Sequence, residues 1–245
     1  MKYSEIIKLN NSLEGKVDGP EFNISILSNI MVHQAKDVCE WLLRVESLNA
    51  KVTIGEYDNI VQDSKKFQGS DAIIIFWEAC NFIDGLQYRI DLSSEVSFND
   101  IFEKVKLEID IVLSSLEQIP TIIINRFSSL IFDQFNLPKG KLKQLTDILN
   151  NYLDSQVSKN VNLIDIDVVI SRLSIKSATD LRYYYSSKTL YSIDFYREYF
   201  EQIKPIFLAK IGKIKKALIF DCDNTLWKGV LGEDGFKGIQ VFQEI

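Results

Sequence analysis

Asp71 to Trp77 reads DAIIIFW, and Thr121 to Asn125 reads TIIIN. In both runs apolar, mostly β-branched residues follow one another with no polar alternate. Each strand therefore needs cover on both faces, as in a parallel sheet and unlike a half-exposed antiparallel one. Working outward, FNISIL (Phe22 to Leu27), KVTIG (Lys51 to Gly55) and VNLIDI (Val161 to Ile166) are further strand candidates. Amphipathic stretches lie between them. VHQAKDVCEWLLRVESL sets Ala35, Val38, Cys39, Leu42 and Val45 on one stripe. SFNDIFEKVKLEIDIVLSSLEQI opens with Ser97 and Asp100 in capping-box spacing and repeats Ile101, Phe102, Val105, Ile109, Leu113 and Leu116 at helical intervals. KLKQLTDILNNYLDSQV follows Pro138 and Gly140, and Lys2 to Leu13 adds a helix at the start. Such alternation predicts an α/β fold with a doubly wound, mostly parallel sheet over residues 20–200. SIDFYREYFEQIKPIFLAKIG, capped by Ser192 and kinked near Pro205, reads as a connector helix. The expected organisation is residues 1–190 as an α/β domain, 191–213 as the connector, and 214–245 as the beginning of a second domain.

Composition narrows the function classes. Of 245 residues 46% are hydrophobic and 25% charged, which places the chain among folded globular proteins. The excess of 34 acidic over 28 basic residues gives a net charge of −6, so nothing draws the chain generally to nucleic-acid phosphates. Cys39, Cys80 and Cys222 show neither ligand spacing nor a paired framework and read as reduced, buried thiols. The longest apolar run is too short to span a bilayer and no signal-peptide core opens the chain, so a cytoplasmic protein without membrane contact is expected.

The chemistry concentrates in KKALIFDCDNTLWKGVLGEDG, Lys215 to Gly235. Ala217 to Phe220 reads as a strand, and reactive groups in parallel sheets collect beyond strand carboxyl ends, where Asp221 stands. A carboxylate there can attack phosphorus and hold the phosphoryl group covalently. Asp223, two residues on, can face the same site and carry a proton to the leaving oxygen and from the incoming one. Two anions facing an anionic substrate call for a hard cation, and Mg²⁺ suits them, so Asp221 and Asp223 are also the metal-binding candidates. The Thr225 hydroxyl and the turn amides around Cys222 and Asn224 are the phosphate-binding candidates.

FDCDNTLWKGVLGEDG resembles the first motif of the haloacid dehalogenase (HAD) superfamily, and its extension TLWKGVLGEDG is similar to the FkbH-like branch, phosphatase subfamily IIIC. ISILSN, VTIGEYDNIVQDS and YYYSSKTLYS also resemble what that branch carries ahead of its HAD domain. The resemblance implies that Asp221 is a phosphoryl-accepting nucleophile and metal ligand. It implies that Asp223 is the general acid/base and gives its backbone carbonyl to Mg²⁺. It further implies a phosphorylated small-molecule substrate, with a glyceryl-type unit loaded onto an acyl carrier protein. The later HAD motifs, a Ser or Thr, a Lys and further acids, do not follow in this sequence. The expectation is therefore that residues 214–245 hold only the first strand and flap of a Rossmannoid catalytic domain and that the chain alone is inactive. The tail from about Lys213 is expected to pair with another chain, a self-association, more readily than to stay disordered.

A second reading assigns the chemistry to the first domain, whose order of elements is similar to the SGNH hydrolases. Ser28 follows the first strand where a nucleophile would sit, and Gly55 follows the second. The late segment where a base would stand reads Asp180-Leu181-Arg182-Tyr183, and a tyrosine's pKa is too high for that task unaided. The sequence holds one histidine, His33, for which a capping or surface role is expected. The alternatives are thus an esterase using Ser28 and a non-catalytic SGNH-like binding module. In either case the site would draw on Ser28, Asn29, Gly55, Tyr57, Asp58 and Asn59, the last three in GEYDNIVQDS at a strand's carboxyl end. The aromatic set Tyr183, Tyr184, Tyr185, Tyr191, Phe195, Tyr196, Tyr199 and Phe200 is expected to pack the connector onto the domain.

Overall fold

The computed structural model describes residues 1–132, 140–213, 221–238 and 240. Five strands, β1 (Phe22–Ser28), β2 (Ala50–Tyr57), β3 (Ala72–Phe76), β4 (Ile122–Asn125) and β5 (Val161–Ile164), form one sheet in the order β2-β1-β3-β4-β5. Every pairing is parallel. The double-sided burial read from DAIIIFW holds, with all five residues of β3 inaccessible to solvent. At about 1.5–3 kcal/mol per buried large apolar side chain, that strand and Ile122 to Ile124 beside it anchor the core.

The helices are α1 (Tyr3–Leu13), α2 (His33–Val45), α3 (Ile60–Lys66), α4 (Leu86–Arg89), α5 (Glu95–Ser115), α6 (Lys141–Gln156), α7 (Ile166–Leu173), α8 (Ile175–Ala178), α9 (Leu181–Ser187), α10 (Ile193–Lys210) and α11 (Leu231–Gly238). A buried polar knot ties α1 to α2 and β2. Asn10 donates to Glu40 at 2.9 Å, Arg44 donates to Asn10 at 2.8 Å, and the Val52 N–H donates to Glu40 at 2.9 Å. α5 starts earlier than its periodicity suggested. Ser94, not Ser97, is the cap, its hydroxyl accepting the Ser97 N–H at 3.1 Å. Ser192 does cap α10, accepting from Phe195 N–H, and the helix runs on through Pro205. Tyr184, Tyr191, Phe195, Tyr196, Tyr199 and Phe200 are buried, whereas Tyr183 and Tyr185 are more than half exposed and leave the packing set. Cys39 and Cys80 are buried as expected, and burial pushes both thiols up, Cys80 to about 12; Cys222 is exposed.

The chain divides into two compact units, Met1–Lys204 and Pro205–Ile245, with the division inside α10. The strand expected over Ala217 to Phe220, and with it the expected strand capture, lies outside the described residues. Among the described residues no helix is long and apolar enough to cross a membrane.

Candidate functional site

The 2-1-3-4-5 strand order places the topological switch point between β1 and β3, where doubly wound proteins bind ligands beyond the strand ends. Here that crevice is laced shut. The Asn29 side chain acts as a surrogate backbone, donating to the Glu78 carbonyl at 2.9 Å and accepting the Glu78 N–H at 2.7 Å. Its own N–H continues the ladder onto the Phe76 carbonyl at 3.1 Å. Asn81 donates to the Asn29 carbonyl and to the Tyr57 hydroxyl. Glu78 carries a buried carboxyl that accepts the Tyr191 hydroxyl at 2.8 Å, and burial raises its pKa to about 7.

Ser28, the esterase candidate, is 4% exposed and donates its hydroxyl proton to the Ile30 carbonyl at 2.5 Å. It shares a mostly apolar hollow of about 200 Å³ with His33, Gly55 and Tyr57, but among the described residues no hydrogen bond joins it to His33. Asp180 caps α9 by accepting the Arg182 and Tyr183 N–H groups, while Tyr183 points into solvent, so the late segment is a helix start and not a base. Gly55 lies inside β2 and not after it. A Cβ there would stand 2.4 Å from the Asp63 carboxylate, which accepts the Glu56 N–H at 2.6 Å and the Asn59 amide at 3.2 Å. The candidate residues Gly55 and Asn59 thus serve this turn, with Asp63 as the buried group that sequence reasoning passed over; its signal was the second Asp of GEYDNIVQDS. Asp58 sits in the left-handed region (φ 55°) with its N–H on the Ser28 carbonyl.

Those commitments leave a cavity of about 290 Å³ beside the closed crevice, lined by Asp58, Gln62, Trp77, Phe82, Lys104 and Glu108. Lys104 and Glu108 come from α5, which the sequence presents only as an amphipathic helix, and nothing in its pattern marked them.

In the second unit Asp221 is exposed and Asp223 half-buried. The Asp223 carboxylate is held by one oxygen. Its Oδ1 accepts the Trp227 indole N–H and the Leu231 N–H, each at 3.1 Å, and Oδ2 has no protein donor among the described residues. Asn224, left-handed at φ 55°, closes the loop by accepting the Gly229 N–H at 2.9 Å and donating its own N–H to the Gly229 carbonyl at 3.3 Å. The Thr225 N–H donates to the Cys222 carbonyl at 3.3 Å. Of the phosphate-binding candidates, then, the Asn224 and Thr225 amides are spent inside the turn. The Thr225 hydroxyl makes no hydrogen bond among the described residues. Trp227 is the positioning group that pattern reading noted without giving it a role. Two hard oxygen donors two residues apart fit Mg²⁺, which binds through one or two carboxylates and keeps waters and substrate oxygens for the rest. Among the described residues no cluster of three metal-ligating side chains occurs.

No family model and no curated protein matches this chain. Among the solved structures that match are two that share its fold. One is the N-terminal part of the protein BF1531 from Bacteroides fragilis, containing a phosphatase domain complexed with Mg. The TM-score is 0.72 with 19% identity, over 100% of this chain and 66% of that one. The other is the lipase Lip_vut3 from a goat rumen metagenome, with a TM-score of 0.55 and 9% identity, over 75% of this chain and 96% of that one. The chain thus spans about two thirds of the length of the phosphatase-domain protein. These likenesses show the fold alone, an α/β architecture with a parallel sheet flanked by helices.

Proposed function

We propose that this chain carries the nucleophile loop of a Mg²⁺-dependent HAD-type phosphatase or phosphotransferase. The observation that carries the reading is Asp223, fixed through Oδ1 by Trp227 and Leu231 with Oδ2 left free, two residues from an exposed Asp221. In the first step an Asp221 oxygen attacks phosphorus and the bond from phosphorus to the leaving oxygen breaks. Asp223 gives its proton to that oxygen. In the second, water attacks the aspartyl phosphate, Asp223 takes the water's proton, and inorganic phosphate departs with Asp221 regenerated. Mg²⁺, when bound, offsets the repulsion between two carboxylates and an anionic phosphate. In this reading the Thr225 hydroxyl donates to a phosphoryl oxygen.

The finer reading rests on the likeness of TLWKGVLGEDG to the FkbH-like branch. It makes the substrate a small phosphorylated, glyceryl-type acid and the acceptor of its acyl unit an acyl carrier protein. The SGNH-like first domain then serves as a scaffold or binding module in the cytoplasm. Ser28 does not support the esterase alternative, because its proton is committed to the Ile30 carbonyl.

The test is phosphoryl transfer from acetyl phosphate with Mg²⁺ in the intact protein, read as a hydroxylamine-labile phosphate on Asp221. Asp221→Asn should abolish the label and turnover without changing the melting temperature. Turnover retained in that variant removes the nucleophile assignment.

A further inference from the structure

We infer that the cavity between α3, α5 and the end of β3 is a binding site for a compact organic cation, an ammonium or guanidinium group on a short apolar body. This inference is independent of the phosphatase reading, because every residue involved lies in the first unit.

The accessible lining of the cavity is mainly polar, and two aromatic rings belong to it. Trp77 is 6% exposed and meets Phe82 edge to face, ring centroids 6.5 Å apart at 89°. Both rings line the space. Aromatic rings present a negative face and attract cations, the more so where water is thinned out. Two carboxylates, Asp58 and Glu108, line the same space. The Asp58 carboxylate makes no hydrogen bond or ion pair among the described residues. The turn that carries it is held by the left-handed backbone and by the Asp58 N–H on the Ser28 carbonyl. Glu108 has one ion-pair partner, Lys104, at 3.7 Å; the lysine side chain is 57% exposed. Exposed pairs one helical turn apart are weak, so a ligand cation can displace that ammonium into solvent.

Charge points the same way. The charged groups that line the cavity are Asp58 and Glu108 against Lys104, and the nearby Lys188 is taken by Asp84 at 2.8 Å. One negative charge is left over. Burial raises the pKa of both Asp58 and Glu108 even though lysines pull the other way, so the carboxylates lack compensation that a bound cation would supply. The Gln62 side chain adds a neutral hydrogen-bonding group at the rim. A volume of about 290 Å³ lies at the small end of ligand sites and suits a single ring or short chain.

The experiment titrates the whole 245-residue chain with 2-phenylethylamine, with its neutral counterpart 2-phenylethanol, and with 3-phenylpropionate. Binding is followed by backbone amide chemical shifts and tryptophan fluorescence. The amine should bind saturably, about tenfold or more tighter than the alcohol, with shifts centred on Asp58, Trp77 and Glu108. Asp58→Asn and Glu108→Gln should each weaken the amine about fivefold and leave the alcohol unchanged. Asn tolerates the left-handed backbone, so the first change does not strain the turn. Equal affinity for amine and alcohol, preference for the carboxylate, unchanged amine affinity in the double variant, or no saturable binding by about 20 mM would each overturn the assignment.

Discussion

Replacing Gly55 by alanine is the sharpest test of how the loop after β2 is built. The added Cβ would lie 2.4 Å from Asp63 Oδ2 and 3.1 Å from Leu27 Cδ2, and Asp63 is only 2% exposed. Leu27 is fully buried and cannot yield, so the carboxylate must swing away. It then gives up the Glu56 N–H at 2.6 Å, a hydrogen bond to a charged group worth about 1.5–3 kcal/mol. The overpacking itself adds about 1–3 kcal/mol, less whatever the turn recovers by relaxing. The sum is about 3 kcal/mol, or a fall of about 6–12 °C in melting temperature for a unit of this size. Urea unfolding monitored by circular dichroism measures it. Gly69→Ala, where a Cβ meets nothing within 4 Å, is the control and should stay within about 0.5 kcal/mol. Equal stability of the two variants would refute the close-approach account of Gly55 and detach Asp63 from the turn.

Two further outcomes follow from the closed crevice. Glu78 has a folded-state pKa raised from 4.5 to about 7, chiefly by burial, so the native state holds its proton more tightly than the unfolded chain. Its contribution is therefore present at low pH and lost as pH rises from about 4.5 through about 7, amounting to about 3 kcal/mol; Glu78→Gln should flatten that limb of the stability–pH curve, measured by urea unfolding at intervals of pH. The chain should show no hydrolysis of p-nitrophenyl acetate above buffer, and Ser28→Ala should cost about 1 kcal/mol of stability through the lost Ile30 contact; activity that disappears in this variant would restore the serine as a nucleophile.

The fold was legible because its decisive strands are uninterrupted apolar runs, a pattern that leaves a parallel sheet little competition. Strand ends shifted by a residue or two, since backbone pairing continues past the apolar residues, as at Glu56 and Tyr57 in β2. The candidate loops were legible in position but not in role. Ser28, Asn29, Gly55 and Asn59 all sit near the carboxyl ends of β1 and β2, yet all four spend their polar groups or their space on Ile30, Glu78 and Asp63. That depends on partners such as Glu78 and Asp63, distant in sequence or unmarked by periodicity. Lys104 and Glu108 escaped for the opposite reason: on an amphipathic helix, charged residues facing a cavity and charged residues facing bulk water have the same spacing.

Which polar groups remain uncommitted decides where ligands can act. A nucleophilic serine needs a proton acceptor other than a backbone carbonyl and donors free to hold an oxyanion. At the end of β1 every such group is taken. Ser28 holds Ile30, Asn29 holds Glu78 twice, and Asn81 holds Asn29 and Tyr57. Withdrawing any one for chemistry would strand a buried donor or acceptor at a cost of about 1–3 kcal/mol, so the edge is stable because it is closed. Besides several buried side-chain atoms that lack a partner, such as Thr121 Oγ1 and Tyr196 OH, two places among the described residues keep accessible oxygens to spare. One is the Asp58 and Glu108 rim, whose carboxylates outnumber their partners. The other is the loop from Asp221 to Leu231, where Asp223 Oδ2 and the Thr225 hydroxyl lack protein partners because Trp227, Leu231 and Gly229 occupy the remaining atoms. A closed carboxyl edge in the parallel sheet and open oxygens in the aspartate loop are what the proposed division of labour between binding and phosphoryl chemistry would require.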